Sequence, residues 1–183
     1  MNEEELKDYL WKLRCKALYK AELSALYHQK RERFFEMSDK LTKAISLFGA
    51  SAALAKLTSP IALAWFAGAI AVASALSLVF GLADRSRRHA ELARNFRQLM
   101  VEIIEKGELD FSEADVKTWC ARATQLEVTE PASLGALVVI CQNELAAVRE
   151  NGKVYAVKRW QRMLAHFLDF DMSQAKEQPQ RQG

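Results

Sequence analysis

Few side chains in this 183-residue sequence have the types and spacings that chemistry requires. Three cysteines, Cys15, Cys120 and Cys141, lie far apart without a CxxC pair, so we predict reduced, mostly buried thiols rather than a metal site or a nucleophile. Asp169 and Asp171 stand two residues apart, cannot share a helix face and are predicted to be solvated. The sequence contains no P-loop, GxGxxG, HExxH or GxSxG motif. We therefore predict a protein that is not an enzyme and that uses no cofactor or metal.

Two apolar segments organise the rest of the chain. Residues 60–83 contain one uncharged run longer than the roughly 20 residues that cross a bilayer core, so we predict a membrane-spanning helix. Residues 41–57 form a shorter candidate span, with Lys43 and Lys56 near its ends, where ammonium groups can reach the membrane surfaces. A short turn, with Pro60 at the first helical position, joins the spans into a hairpin. The alternative is a soluble helical bundle with a strongly apolar hairpin.

Charged, amphipathic segments flank this hairpin. Residues 1–40 have apolar side chains at three- and four-residue steps, and residues 84–107 follow the second span, which we expect to continue as one helix. Residues 108–172 are predicted to form a small C-terminal helical region, and residues 173–183 a disordered tail. The C-terminal helices are predicted at residues 113–126, 132–148 and 153–170. The predicted fold is all-α: a two-helix transmembrane hairpin whose long helices extend into a cytoplasmic stalk.

Basic residues lie on the same side of both predicted spans. The segment HQKRER at residues 28–33 precedes the first span and three arginines follow the second, whereas the connecting turn holds only Lys56. These arginines are Arg85, Arg87 and Arg88. Since positive residues are retained in the cytoplasm, both termini are predicted to be cytoplasmic. The net charge of +3 is too small and too dispersed to indicate a nucleic-acid partner.

Small residues recur in both predicted spans, in part at four-residue intervals, which allows membrane helices to approach closely. Those predicted to pack helices, within one hairpin or between subunits, are Gly49, Ala53, Gly68, Ala69, Ala73, Ser77 and Gly81. Ala-rich helices also produce such rows by chance. If hairpins assemble as a ring, the candidate pore-lining residues are Ser46, Ser51, Ser74 and Ser77. Each of these hydroxyls could instead bond to a carbonyl of its own helix.

An antiparallel register with its turn near residue 58 places His28 level with His89, a pair that could bind a metal or sense pH. No further ligand joins them at a suitable spacing, which favours a structural role. The register also predicts pairs of Arg14 with Glu102 or Glu105, and of Glu22 with Asn95 or Arg94. The predicted stalk residues are Arg14, His28, Arg88, His89 and Glu102.

The order of KALYKAELSALYHQKRERF, the hairpin and DRSRRHAELARNFRQLMVEI resembles the SLATT family, two-transmembrane effectors associated with SMODS nucleotide synthases and SLOG sensors. The resemblance covers about the first 150 residues. The positions that carry it are Tyr19, His28, Arg88, His89, Ala90, Glu130, Pro131, Cys141, Gln142, Asn143 and Glu144.

The resemblance implies a bacterial inner-membrane protein of a conflict or antiphage system, with both termini in the cytoplasm. Such a protein would form homo-oligomers in the lipid bilayer and open a pore that depolarises the cell. We expect no fused nucleotide-sensing domain, so a trigger would come from a partner, such as a sensor or nucleotide-synthase protein, or from the cytoplasmic helices. The alternative is a membrane-anchored scaffold in which the hairpin is only an anchor and the C-terminal helices recruit a partner.

Overall fold

The computed structural model describes residues 2–54, 59–149, 153–173 and 175–178, without the side chains of residues 49–54, 62, 63, 76 and 77. The described residues are mostly helical, as the sequence predicted. In chain order the elements are α1 (Glu3–Leu54), α2 (Pro60–Phe80), α3 (Leu82–Glu105), α4 (Glu113–Val128), α5 (Gly135–Val148), β1 (Val154–Tyr155), α6 (Arg159–Leu164) and β2 (Glu177–Gln178). The chain divides into one unit of Met1–Gln29 with Glu91–Gly183, and a second unit of Lys30–Ala90.

Helix α1 runs for 52 residues because strong helix formers dominate it and because local contacts stabilise its first turns. The Asn2 side chain accepts a hydrogen bond from the Glu5 backbone at 2.7 Å, and the Glu5 carboxylate accepts one from the Asn2 backbone at 2.9 Å. This reciprocal cap satisfies backbone groups that the helix leaves unpaired. Three glutamates in the first turn also stabilise the helix, because their negative charges lie near the positive end of the helix dipole.

The second apolar helix does not continue as one helix into the following segment, contrary to the prediction. Helix α2 starts at Pro60, as predicted, but ends at Phe80, and α3 begins at Leu82. Gly81 between them has a φ of 53°, in the left-handed region that glycine adopts without a steric penalty. The helix therefore breaks at a glycine that the sequence pattern placed in a row of packing residues.

The core of the first unit brings together α1, α3 and α4. Alanines at four-residue steps on α1 leave room for large side chains of α3, and Trp119 of α4 closes the cluster. This first core cluster comprises Ala17, Ala21, Ala25, Phe96, Leu99, Ile103, Val116, Trp119 and Ala123. The apolar side chains at three- and four-residue steps in residues 1–40 therefore include buried positions of this unit.

Helix α4 begins where the sequence predicted it. The Ser112 hydroxyl accepts a hydrogen bond from the Asp115 backbone at 3.2 Å, and the Asp115 carboxylate accepts one from the Ser112 backbone at 2.9 Å. The backbone and hydroxyl of Ser112, and then Lys106, donate to this carboxylate and lower the pKa of Asp115 to about 2. The cap therefore holds its negative charge throughout the physiological pH range.

A second core cluster in the same unit joins α1, α5 and the C-terminal segment. It comprises Tyr27, Ala136, Leu137, Ile140, Cys141 and Ala165. Helix α5 starts at Gly135 rather than near Ala132, because its first backbone groups find distant partners. The Leu134 N–H donates to the Tyr27 hydroxyl at 3.1 Å, and the Gly135 N–H donates to Asp169 at 2.8 Å. Asp169, predicted to be a solvated side chain, thus caps a helix.

The prediction of one helix over residues 153–170 is wrong. Residues Val154–Tyr155 form β1, which pairs antiparallel with β2 at Glu177–Gln178, and only Arg159–Leu164 forms the short α6. The prediction of a disordered tail is also wrong for the residues of β2. Side-chain and strand contacts from distant residues hold this segment extended, and they override its local helical pattern.

Candidate functional site

Most large apolar side chains on α2 and on the last described turns of α1 are exposed. Val72 is 60% exposed, Leu78 84% and Trp65 78%. The others are Leu41, Ile45, Leu47, Phe48, Ile61, Phe66, Val79 and Phe80. Helix α2 contains no charged residue. Most of its large apolar side chains with a described position are exposed to solvent. Surfaces of this kind mark contacts with lipid or with another protein.

By length and composition, none of the described helices is by itself long and apolar enough to cross a membrane. Ala64–Phe80 and Leu82–Glu105 meet the criterion together, as a pair bent by 41° at Gly81.

The predicted packing residues divide into buried and exposed positions. Ala73 is 7% exposed, whereas Gly68 and Ala69 are exposed on α2. A Cβ atom built on Gly68 would have no other atom within 4 Å, so space is open there. Gly81 lies at the helix break. Gly49, Ala53 and Ser77 fall outside the residues with described side chains, and their role stays a prediction.

Two predicted pore-lining serines border the same cavity. Ser46 of α1 and Ser74 of α2 line it with Thr42, Lys43 and Leu78, and its volume is about 310 Å³. The Ser46 hydroxyl donates to the Thr42 carbonyl at 3.0 Å, within its own helix. That bond matches the alternative role considered for it. Ser51 and Ser77 lie outside the described side chains.

At the other end of the second unit, Phe35 is the centre of a cationic and aromatic cluster. The His89 ring stacks on Phe35 with centroids 5.6 Å apart and an interplanar angle of 11°. The Arg31 and Arg85 guanidinium groups lie 4.5 and 5.9 Å from the Phe35 centroid. The sequence analysis predicted a role for His89 but none for Phe35. In the sequence, Phe35 is distinguished only as one of two adjacent phenylalanines directly after the basic segment. The predicted stalk residue Arg88 is exposed.

His28 is buried in the first unit. Its ring stacks on Phe96 at 5.9 Å and meets the edge of Tyr27 at 5.3 Å. The His28 Nε2 lies 3.1 Å from a carboxylate oxygen of Glu130. No pairing of Glu130 with His28 was predicted from the sequence. Across the ranges described, no three His, Cys, Asp or Glu side chains come close enough to hold a metal ion.

The residues of the two predicted polar pairs have other partners. The Arg14 guanidinium donates to the Ile103 carbonyl at 3.4 Å and lies over the Trp11 ring, rather than pairing with Glu102 or Glu105. Glu102 instead pairs with Arg122. Glu22 pairs with Arg149 rather than with Asn95 or Arg94. Arg122 lies on α4 and Arg149 directly after α5, and no local pattern could supply these positions.

Asn143, within the CQNEL segment, has a structural role. Its amide donates to the Tyr155 carbonyl and accepts from the Tyr155 N–H, each at 2.7 Å. One side chain thus pairs with β1 as a neighbouring strand would. The prediction of mostly buried thiols holds only for Cys141, because Cys15 and Cys120 are exposed.

The chain matches no protein-family model, and neither a curated protein nor a solved structure is significantly similar to it.

Proposed function

We propose that this protein is a bacterial inner-membrane effector that oligomerises through a two-span hairpin and forms a pore or otherwise disrupts the membrane. The exposed apolar surface of α2 and of the end of α1 carries the proposal. A helix buried in a soluble core would have this surface covered by its own chain. Lipid, together with the hairpins of other subunits, supplies the missing cover.

The residues facing each other in the second unit fit such a hairpin. Ser46 and Ser74 border one cavity, and Glu32 lies opposite Ser86, whose hydroxyl donates to the Glu32 carbonyl at 3.4 Å. Residues later in α1 thus lie next to residues earlier in α2 and α3, as in two antiparallel helices. Arg85, Arg87 and Arg88 place positive charge after the second span, which favours cytoplasmic termini.

The resemblance to the SLATT family supports the same role in a conflict or antiphage system, with a sensor or nucleotide-synthase protein as the partner. Membrane anchoring without conduction is the second candidate. It would use the same exposed helices, and the C-terminal region would then serve as the recruiting surface.

Substitution of Ala73 tests the pore. Ala73 is buried, whereas Ala75 is exposed on the same helix, so leucine at each position gives a matched pair. Leucine at residue 73 adds three heavy atoms where helices pack closely, and overpacking of this kind costs about 1–3 kcal/mol. We expect expression of the unaltered chain in bacteria to depolarise the cells, A73L to abolish depolarisation, and A75L to retain it, as a potential-sensitive dye would report.

Several outcomes would contradict the proposal. A membrane-bound chain that leaves the potential unchanged and copurifies with a fixed partner would favour the anchor. Equal depolarisation by A73L and A75L would exclude packing at Ala73 as the basis of the pore. Recovery of all the protein in the soluble fraction without detergent would end both membrane proposals.

A further inference from the structure

The C-terminal segment from Lys158 to Leu168 presents an exposed apolar face at helical spacing. Helix α6 ends at Leu164, but the Leu168 N–H donates to the Leu164 carbonyl at 3.0 Å, so the helical path extends beyond it. Side chains three and four residues apart share one side of such a path. The exposed residues are Trp160 (51%), Met163 (79%), Leu164 (39%), Phe167 (66%) and Leu168 (49%).

The opposite side of this segment already anchors it to the first unit. Ala165 is fully buried in the second core cluster, and Val157, Phe170 and Met172 pack against that cluster. The Trp160 and Phe170 rings are perpendicular, with centroids 5.1 Å apart, so part of Trp160 also packs against the fold. Folding therefore accounts for the buried apolar residues of the segment and for one side of Trp160, whereas much of the apolar area of the five exposed residues faces solvent.

The charge of the segment is of one sign. From Lys153 to Leu168 the sequence contains no Asp or Glu. Lys158, Arg159 and Arg162 are exposed, and within the described ranges none of the three forms an ion pair. Several basic residues elsewhere on the chain do have a carboxylate nearby, as Lys12 has Asp8 at 2.6 Å. The exposed apolar side chains thus share this segment with three exposed cations and no carboxylate.

We propose that residues 158–168 lie on the surface of an anionic phospholipid bilayer. Apolar side chains of an amphipathic helix enter the boundary between headgroups and acyl chains, while flanking lysines and arginines reach the phosphates. Anionic lipid is favoured over a neutral apolar partner because each basic residue near such a surface adds attraction. The C-terminal segment would then be a second membrane contact, separate from the hairpin.

A label on the segment tests this contact in the full chain. Cys15 and Cys120 are changed to serine, and Met163→Cys is modified with an environment-sensitive fluorophore. Val128→Cys, 82% exposed on α4, carries the control label. The protein is reconstituted into phosphatidylcholine vesicles with and without phosphatidylglycerol. Only the label at residue 163 should shift to blue emission and become quenched by lipid-borne quenchers, and only with phosphatidylglycerol.

Neutralising the three cations supplies the second arm. We expect the variant K158Q, R159Q, R162Q to lower lipid contact of the residue-163 label about tenfold or more, since cations act additively at anionic surfaces. Added salt should do the same by screening. The control variant K16Q, R94Q, R97Q has the same change in net charge outside the segment and should leave the signal unchanged.

The label reports the segment whether or not the hairpin spans the bilayer, so the two proposals can fail separately. Equal signals at residues 128 and 163 in anionic vesicles would overturn this one. So would a residue-163 signal that the three neutral substitutions leave unchanged. A blue shift in detergent that grows with protein concentration would show instead that a second copy of the chain covers the face.

Discussion

Arginine in place of Val72 is expected to remove most of the chain from the bacterial membrane fraction. Val72 lies near the middle of α2 and is 60% exposed. If it faces lipid in the centre of the bilayer, an arginine there opposes insertion by about 3 kcal/mol. That cost corresponds to a shift of about a hundredfold in the insertion equilibrium. The measurement is the fraction of protein that stays with membranes after alkaline extraction.

Val128→Arg is the matched control, because Val128 is 82% exposed on α4 in the other unit. Substitutions at water-exposed positions usually change stability by less than about 0.5 kcal/mol. If α2 were an exposed helix of a soluble protein, V72R would be as harmless as V128R. Equal membrane fractions for the two variants would therefore contradict the lipid-facing position of Val72.

Gly135→Ala is expected to release the C-terminal segment from α5. A Cβ atom at residue 135 would lie 2.5 Å from the Phe170 carbonyl and 3.4 Å from a carboxylate oxygen of Asp169. The first distance is far inside van der Waals contact with backbone, so the segment must move and weaken the 2.8 Å bond from Gly135 to Asp169. Overpacking and the lost cap together should lower stability by about 2–3 kcal/mol.

Hydrogen exchange of the full chain in detergent measures this effect locally. Amides of α5 and β1 should exchange faster in G135A, while those of α4 stay protected. Ser133→Ala, at an exposed position just before α5, should match the unaltered chain. Protection in G135A equal to that in S133A would show that the close approach of Phe170 to Gly135 is not present in solution.

Features that depend on neighbours in sequence were predictable. The starts of α2 at Pro60 and of α4 at Glu113 follow from local chemistry, and both were predicted. The apolar side chains at three- and four-residue steps in residues 1–40 likewise predicted a helix, and α1 covers them. Local propensity and pattern suffice where a residue's own helix decides its conformation.

Features that depend on distant residues were not predictable. Glu22 pairs with Arg149, 127 positions away, and no local register could indicate that partner. The strand at Tyr155 exists because Asn143 holds both of its backbone groups, so a helical pattern over residues 153–170 was overridden. Gly81 could sit in a continuous helix or break it, and the sequence pattern does not distinguish these; the structure has a φ of 53° there. The sequence thus predicted candidate packing residues without their partners.

We propose that the chain crosses the membrane twice with its turn outside. A membrane-impermeant maleimide applied to intact spheroplasts that express Ser59→Cys tests it most directly. Ser59 is exposed immediately before α2, and the exposed Cys15 and Cys120 serve as internal reporters of the cytoplasmic side. We expect residue 59 to be modified from outside, while Cys15 and Cys120 react only after lysis. Modification of residue 59 only after lysis, together with Cys15 and Cys120, would contradict the hairpin.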